Sequence, residues 1–268
     1  MTLPRRAPAF HVLDAFGVAR GSLVHLEGGQ GYTWRAGDLV LKAGVEPRFV
    51  AWLCEVGGTI RPDGFRLATQ VPAVDGRLVV GGWSATTWLD GDPRPADVDA
   101  LLEVSASLHR SLLAAGLAWP NFLRGRTDRW AAADRVAWGE EAPPRFAPGG
   151  VREVLRLVGP FLQKAWRGGA PQVVHGDLGG NVLFDDAGGG PPAVIDLSPY
   201  HRPAAFADAV LVADAVAWHG VAISAAEAFA AGSPRGHELL ARAVVFRVLA
   251  GPDEVAAYRA VAEVAATG

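Results

Sequence analysis

Over the first ninety or so residues, apolar side chains recur in short alternating runs, the period of strands with one buried face. Residues 22–27 alternate around Leu23, Val24 and Leu26. Residues 32–35 and 38–42 flank Ala36-Gly37, which predicts a hairpin. Residues 65–71 and 77–83 flank Asp75-Gly76, a second hairpin signal. Between these pairs, residues 47–56 change to a helical period. Phe49, Val50, Leu53 and Val56 share one face, and Pro47 suits the first helical position. An earlier helix is predicted over residues 9–16.

Residues 90–95, Asp-Gly-Asp-Pro-Arg-Pro, form a linker by composition. Beyond it the helical period dominates. Val98, Leu101, Leu102, Leu108 and Leu112 fall on one face, with small Ser105 among them. Further helices are predicted over 128–138, 151–166, 204–219, 237–249 and 253–265. One hairpin interrupts them, from 173–174, 181–184 and 193–196, with 185–192 as its turn. The pattern predicts two domains: residues 1–90, strand-rich and ending in a hinge, and residues 91–268, mainly helical with one inserted hairpin. Such an arrangement suggests an α+β chain of two-lobed, protein-kinase-like architecture.

Composition narrows the function classes. The chain has 268 residues, 50% apolar and 20% charged, enough for a sizeable core and too apolar for a disordered chain. A net charge of −3 provides no global field for nucleic acid or anionic membrane. The single cysteine, Cys54, forms no internal disulfide. The most apolar stretch, 210–231, contains Asp214, His219 and Glu227, costly groups in a bilayer. After Arg5 and Arg6 the apolar run is broken by His11 and Asp14, a poor signal peptide. A soluble cytoplasmic protein is expected, with no nucleic-acid or membrane partner. Lysine occurs only at 42 and 164, and asparagine only at 121 and 181, in a chain rich in arginine. A retained Lys or Asn therefore points to a chemical need.

The densest constellation is Val173-Val-His-Gly-Asp-Leu-Gly-Gly-Asn-Val-Leu-Phe184, followed by Ala193-Val-Ile-Asp-Leu197. Each segment puts an acid or an amide at the end of an apolar strand. A hairpin would gather Asp177, Asn181 and Asp196 at one end. Two carboxylates and an amide carbonyl are hard oxygen donors suited to Mg²⁺, with phosphate and water completing its shell. Phosphoryl transfer needs such a set. The blander reading is an ordinary hairpin with polar ends.

His175-Gly-Asp177 with Asn181, then Ile195-Asp196, resembles the catalytic core of aminoglycoside phosphotransferases and related choline-kinase-like small-molecule kinases, over about Leu26 to Asp208. The resemblance implies that Asp177 is the catalytic base, that Asn181 and Asp196 are metal ligands, and that His175 braces the catalytic loop. It implies a structural role for Asp208. One departure stands out. Asn181 follows Asp177 by four positions, whereas the protein-kinase pattern has five. Gly179-Gly180 is expected to absorb the tighter turn through positive φ.

Gly28, Gly29, Gln30 and Gly31 lie between two strands, where backbone N–H groups can approach phosphates. Lys42 matches the family lysine on the nucleotide phosphates. Its expected partner is Glu46, preferred over Glu55 on the next helix; either can instead be a solvated helix charge. Residues 86–91 align with the family hinge, with Gly91 as its anchor and backbone groups near Thr87 and Leu89 facing adenine. Asp128, Glu140 and Glu141 are candidates for a cationic substrate or for solvated helix ends. The tryptophans at 130, 138, 166 and 218 read as core. The resulting expectation is a kinase using ATP, or another nucleoside triphosphate, with Mg²⁺ to phosphorylate a small-molecule hydroxyl. The alternative is a nucleotide-binding pseudokinase with a regulatory or scaffold role. A protein acceptor is disfavoured because no long activation segment separates Asp196 from Asp208.

Overall fold

The chain divides into two units in a computed structural model, which describes residues 7–21, 23–26 and 32–268. The first unit comprises Met1–Asp92 with Leu183–Asp196, and the second Pro93–Val182 with Leu197–Gly268.

In the first unit, α1 (Phe10–Ala15) precedes a meander of β1 (Leu23–His25), β2 (Thr33–Ala36) and β3 (Leu39–Ala43). The hairpin between β2 and β3 turns at Gly37-Asp38 and sets Thr33 opposite Lys42. After α2 (Pro47–Thr59) come β4 (Arg66–Leu67), β5 (Gln70–Val71) and β6 (Trp83–Thr87). The main sheet has the order β1-β2-β3-β6-β5. Val12 and Leu13 of α1 pack with Leu41, Val80, Trp83 and Ala85 beneath it.

The second predicted hairpin keeps its turn and loses its register. The Ala73 N–H bonds the Arg77 carbonyl at 2.8 Å around Asp75-Gly76. The strand that pairs with β5 starts later, at Trp83, because Val80 and Trp83 close a second turn by bonding each other. Of the first predicted strand, Ser22 and Glu27 lie outside the described residues.

The second unit holds α3 (Val98–Ala114), α4 (Asn121–Arg124), α5 (Arg129–Ala137), α6 (Gly149–Leu162), α7 (Ala204–Trp218), α8 (Ser224–Gly232), α9 (Gly236–Ala250) and α10 (Arg259–Ala265). The predicted helix over 253–265 opens as a 3-10 turn, Pro252–Tyr258. The short α4 and α8 are additions to the sequence reading. Helix α9 is buried on nearly every side, packed by α5, α6, α7, α8 and α10. Charges inside such a helix need partners. Arg242 finds them in Glu238 and in the carbonyls of Ala137 and Lys164, with its guanidinium near the rings of Trp138 and Trp166. Trp218 departs from the expected core role at 45% exposure.

The predicted hairpin over 173–196 is corrected. β8 (Gln172–His175) pairs antiparallel with β11 (Pro199–Arg202), which the sequence reading left out. β9 (Val182–Phe184) and β10 (Ala193–Val194) join β4 and β7 (Asp92–Pro93) in a separate sheet of order β4-β10-β9-β7. β10 runs parallel to β4, with Ala193 opposite Arg66, and Arg66 Nε bonds the Pro191 carbonyl at 2.9 Å. These bonds group Leu183–Asp196 with the first unit, unlike a single cut at residue 90. Among the described residues, no helix is long and apolar enough to cross a membrane.

Candidate active site

In the first unit, β3 carries Lys42 and the chain after β10 carries Asp196. The Lys42 ammonium donates to both carboxylate oxygens of Asp196. Asp196 holds this position with φ at +45°, a left-handed conformation uncommon outside glycine. The expected Lys42–Glu46 pairing is replaced by this contact. Glu46 caps α2 instead, accepting from the Phe49 N–H at 2.8 Å, which satisfies an otherwise orphaned helix donor. Glu55 is exposed on α2. Gly28, Gly29, Gln30 and Gly31 lie outside the described residues.

At the hinge, the Thr87 N–H is already bonded to the Thr69 carbonyl at 3.0 Å, so it is not free to donate to adenine. The Leu89 amide, half-buried, bonds none of the described residues. Gly91 is required by a close approach. Its φ is +136°, and a Cβ there would lie 3.0 Å from the Phe184 carbonyl.

In the second unit, His175 ends β8 and Gly176-Asp177 follow it. His175 is fully buried and accepts the Asp177 backbone N–H on Nδ1 at 3.1 Å, which is how it braces the loop. The loop closes as a β-turn, with the Asn181 N–H on the Leu178 carbonyl at 2.9 Å. The Asn181 side-chain amide donates to the Asp177 carbonyl at 2.6 Å and approaches Asp177 Oδ2 at 3.3 Å. With its amino group committed, the Asn181 side chain has its carbonyl oxygen left over from these bonds. Contrary to the expectation, neither Gly179 nor Gly180 has positive φ. The four-residue spacing is accommodated by the Asn181–Asp177 bond.

Two supports that the sequence reading missed stand behind Asp177. The first is a relay from α3. The His175 N–H donates to His109 Nε2 at 3.1 Å, which leaves the His109 proton on Nδ1, 3.0 Å from Ser105 Oγ. The Ser105 hydroxyl donates to Asp208 Oδ1 at 2.5 Å. Burial, aided by the nearby His175, pushes the His109 pKa down to about 3, so the ring is neutral. Burial raises Asp208 to about 6 despite the Ser105 bond. The second support is Arg247 of α9, which donates to Asp177 Oδ1 at 2.6 Å and to Asp214 of α7. Burial pushes the Asp177 pKa upward; the Arg247 guanidinium, with His175 and the Asn181 amide, outweighs it and holds the carboxyl below its ordinary value. The available signal was charge placed where the pattern is apolar. Asp214 sits in the most apolar stretch, and Arg247 in a helix with little polar face.

The acids considered for a cationic substrate are engaged by arginines. Asp128 caps α5 and pairs with Arg126, Glu140 with Arg202, and Glu141 with Arg135. Among the described residues, no group of three or more His, Cys, Asp or Glu is placed to hold a metal. Mg²⁺ draws few ligands from a protein, keeping waters and phosphate oxygens, and takes hard oxygens of the kind that the Asn181 carbonyl offers in the second unit and the half-exposed Asp196 carboxylate in the first.

A family model described as "Phosphotransferase enzyme family" matches residues 42–243, most of the chain. The chain belongs to the phosphotransferase enzyme family. Solved structures agree on the fold of this phosphotransferase. A thermostable mutant of aminoglycoside phosphotransferase APH(4)-Ia, apo form, matches at TM-score 0.61 and 17% identity, over 96% of this chain and 98% of that one. An aminoglycoside phosphotransferase from Alicyclobacillus acidocaldarius matches at 0.57 and 14%, over 98% and 95%. Spectinomycin phosphotransferase APH(9)-Ia, in complex with ADP and spectinomycin, matches at 0.56 and 12%, over 95% of each chain. No curated protein sequence matches the chain. The architecture of this phosphotransferase is accordingly kinase-like and α+β.

Proposed function

We propose that this phosphotransferase moves the terminal phosphoryl group of ATP, or another nucleoside triphosphate, to a hydroxyl of a small molecule. The observation that carries the reading is the Asp177 carboxylate, half-exposed and held in the ionised form. An ionised carboxylate of this kind accepts the hydroxyl proton as the new O–P bond forms. Asn181 and Asp196 are the residues that would hold Mg²⁺, which when bound supplies charge neutralisation to the phosphates. Lys42 would hold phosphate oxygens as a compact cation. Two solved relatives of the fold support the donor and acceptor classes. A mutant of APH(4)-Ia was crystallised in a ternary complex with ADP and hygromycin B, and APH(9)-Ia in complex with ADP and spectinomycin.

Two features stand behind the pseudokinase alternative: the four-residue spacing from Asp177 to Asn181, and the lack, among the described residues, of a Glu partner for Lys42, which pairs with Asp196 while Glu46 caps α2. The Asn181–Asp177 bond at 2.6 Å gives that spacing a closed geometry and favours the enzyme. The test is phosphate transfer across a panel of sugars, amino alcohols and aminoglycosides. Asp177→Asn is expected to lower turnover by about 10²–10⁴-fold while Mg·ATP affinity stays near wild type. A wild-type protein that binds Mg·ATP, transfers phosphate to no member of the panel and does not hydrolyse ATP would move the reading to the pseudokinase.

A further inference from the structure

Arg247 is the most constrained charged group near Asp177. Its side chain is 8% exposed, in the last turn of α9. Nε reaches both carboxylate oxygens of Asp214, at 2.9 and 3.0 Å, and Nη2 also contacts that carboxylate. Asp214 is fixed in turn by the Tyr258 hydroxyl at 2.7 Å, and that hydroxyl accepts the Trp218 indole N–H at 2.7 Å. The rings of Trp130 and Phe246 lie 5.7 and 5.2 Å from the guanidinium carbon. Thus the guanidinium plane is set from behind, by Asp214 and its partners, before Asp177 is considered. Nη2 then extends to Asp177 Oδ1 at 2.6 Å.

One buried arginine needs only one buried carboxylate for charge balance, and Asp214 supplies it. The same guanidinium that offsets the burial of Asp177 also fixes its direction, because it reaches the half-exposed carboxylate through one oxygen only. It engages Oδ1 in a short, charge-assisted bond. Oδ2 has only the longer approach of the Asn181 amide, at 3.3 Å.

We infer that Arg247 is the positioning residue of Asp177: anchored by Asp214, it pins Oδ1 so that Oδ2 is the oxygen presented to the acceptor hydroxyl. The inference rests on the reading of Asp177 as the base. In the step it serves, the acceptor O–H bond breaks and its proton passes to Oδ2. The acceptor oxygen forms a bond to the terminal phosphorus, and the bridging P–O bond breaks, leaving its electron pair on the nucleoside diphosphate. A pinned carboxylate keeps the receiving lone pair aligned, and misplacement of about 1 Å at such a group costs about 10²-fold in rate.

Arg247→Met alone leaves Asp214 buried and unpaired, a change that can prevent folding. The test therefore uses Arg247→Met combined with Asp214→Asn, compared with Asp214→Asn alone, which keeps the arginine. The first readout needs no turnover. Side-chain NMR couplings of ¹³C-labelled aspartate report the χ1 rotamer of Asp177. A single rotamer in Asp214→Asn and averaging in the double variant is the expected result; a single rotamer in both overturns the proposal. The second readout is Mg·ATP turnover. The double variant is expected to lose about 10- to 100-fold in kcat with KM for ATP unchanged, and millimolar guanidinium is expected to restore part of it. Equal kcat in both variants also overturns the proposal. A wild-type protein with no turnover contradicts the reading of the reaction, while the rotamer measurement still decides the role of Arg247.

Discussion

Lys42 Nζ donates to both carboxylate oxygens of Asp196, at 2.6 and 2.8 Å, across 154 residues of sequence. The two side chains are 39% and 48% exposed, so the pair contributes no more than about 1 kcal/mol to stability. A pair this weak opens readily for a ligand that offers each group a better partner. Phosphate oxygens suit the ammonium, and a divalent cation suits the carboxylate.

Lys42→Ala is therefore expected to change the melting temperature of the ligand-free protein by less than about 4 °C. The rise in melting temperature produced by Mg·ATP should be largely lost, because binding to the native state alone is what stabilises it. Asp196→Ala should remove most of the Mg²⁺ dependence of that rise, and Asn181→Ala less of it, since an anion contributes more charge than an amide. Thermal shift with and without Mg·ATP checks all three. Wild-type shifts in every variant would remove these residues from the nucleotide site.

The sequence yielded what is local. The β2–β3 turn at Gly37, the helix started by Pro47 and the His175-Gly-Asp177 loop with Asn181 depend on residues a few positions apart. Partner choice is not local. The apolar run 173–174 is equally compatible with pairing to 181–184 or to 199–202, and the register Pro199 opposite His175 is fixed by tertiary packing. β11 begins with proline and ends in His201 and Arg202, so it carries little strand signal. Glu46 has a charge sign fit for Lys42, yet its place at the first turn of α2 commits it to the cap. Arg247 is seventy residues from Asp177, and only the helix packing that buries α9 brings them together.

Gly176 is glycine for want of space. A Cβ there would meet the Tyr200 ring at 2.5 and 2.7 Å. Tyr200 cannot retreat easily, being buried and packed edge-on to Phe246 at 5.2 Å. Gly176→Ala is expected to destabilise by about 1–3 kcal/mol through overpacking and to lower turnover by displacing Asp177. Tyr200→Ala in the same chain should relieve part of the strain, giving a coupling energy in a double-mutant cycle by urea unfolding. Strict additivity would refute the contact.

Asp208 gives stability a pH dependence of definite sign. Its folded pKa is raised by burial to about 6 from 3.8, so the folded state favours the protonated form. Its contribution is complete below the unfolded value and is lost as pH rises through about 6. The displacement is worth at most about 3 kcal/mol, less what solvent screens at a partly buried group. Asp208→Asn stays neutral and keeps an acceptor for Ser105. The variant should gain stability over wild type as pH rises from about 4 to above 6. Urea unfolding of both proteins across that range measures the difference; a gap that stays constant with pH would show that Asp208 does not titrate there.

The 177–181 loop is closed by Asn181 itself. The Asn181 N–H bonds the Leu178 carbonyl at 2.9 Å, and its side chain bonds the Asp177 carbonyl at 2.6 Å. Both contacts depend on Asn181 standing four positions after Asp177. Gly179 and Gly180 contribute neither positive φ nor close packing, and a Cβ at either meets nothing within 4 Å. Two opposite outcomes are expected. Gly179→Ala and Gly180→Ala, made separately, should retain turnover and add up to about 1 kcal/mol of stability by restricting the unfolded chain. Inserting one residue after Gly179, to reach the protein-kinase spacing, should break both Asn181 bonds, misplace its carbonyl oxygen and lower turnover by about 10²-fold. Phosphate transfer and urea unfolding on the three variants give the answer. Higher turnover from the longer loop would mean that the four-residue spacing holds the site inactive, and the closed Asn181–Asp177 turn would then be its lock.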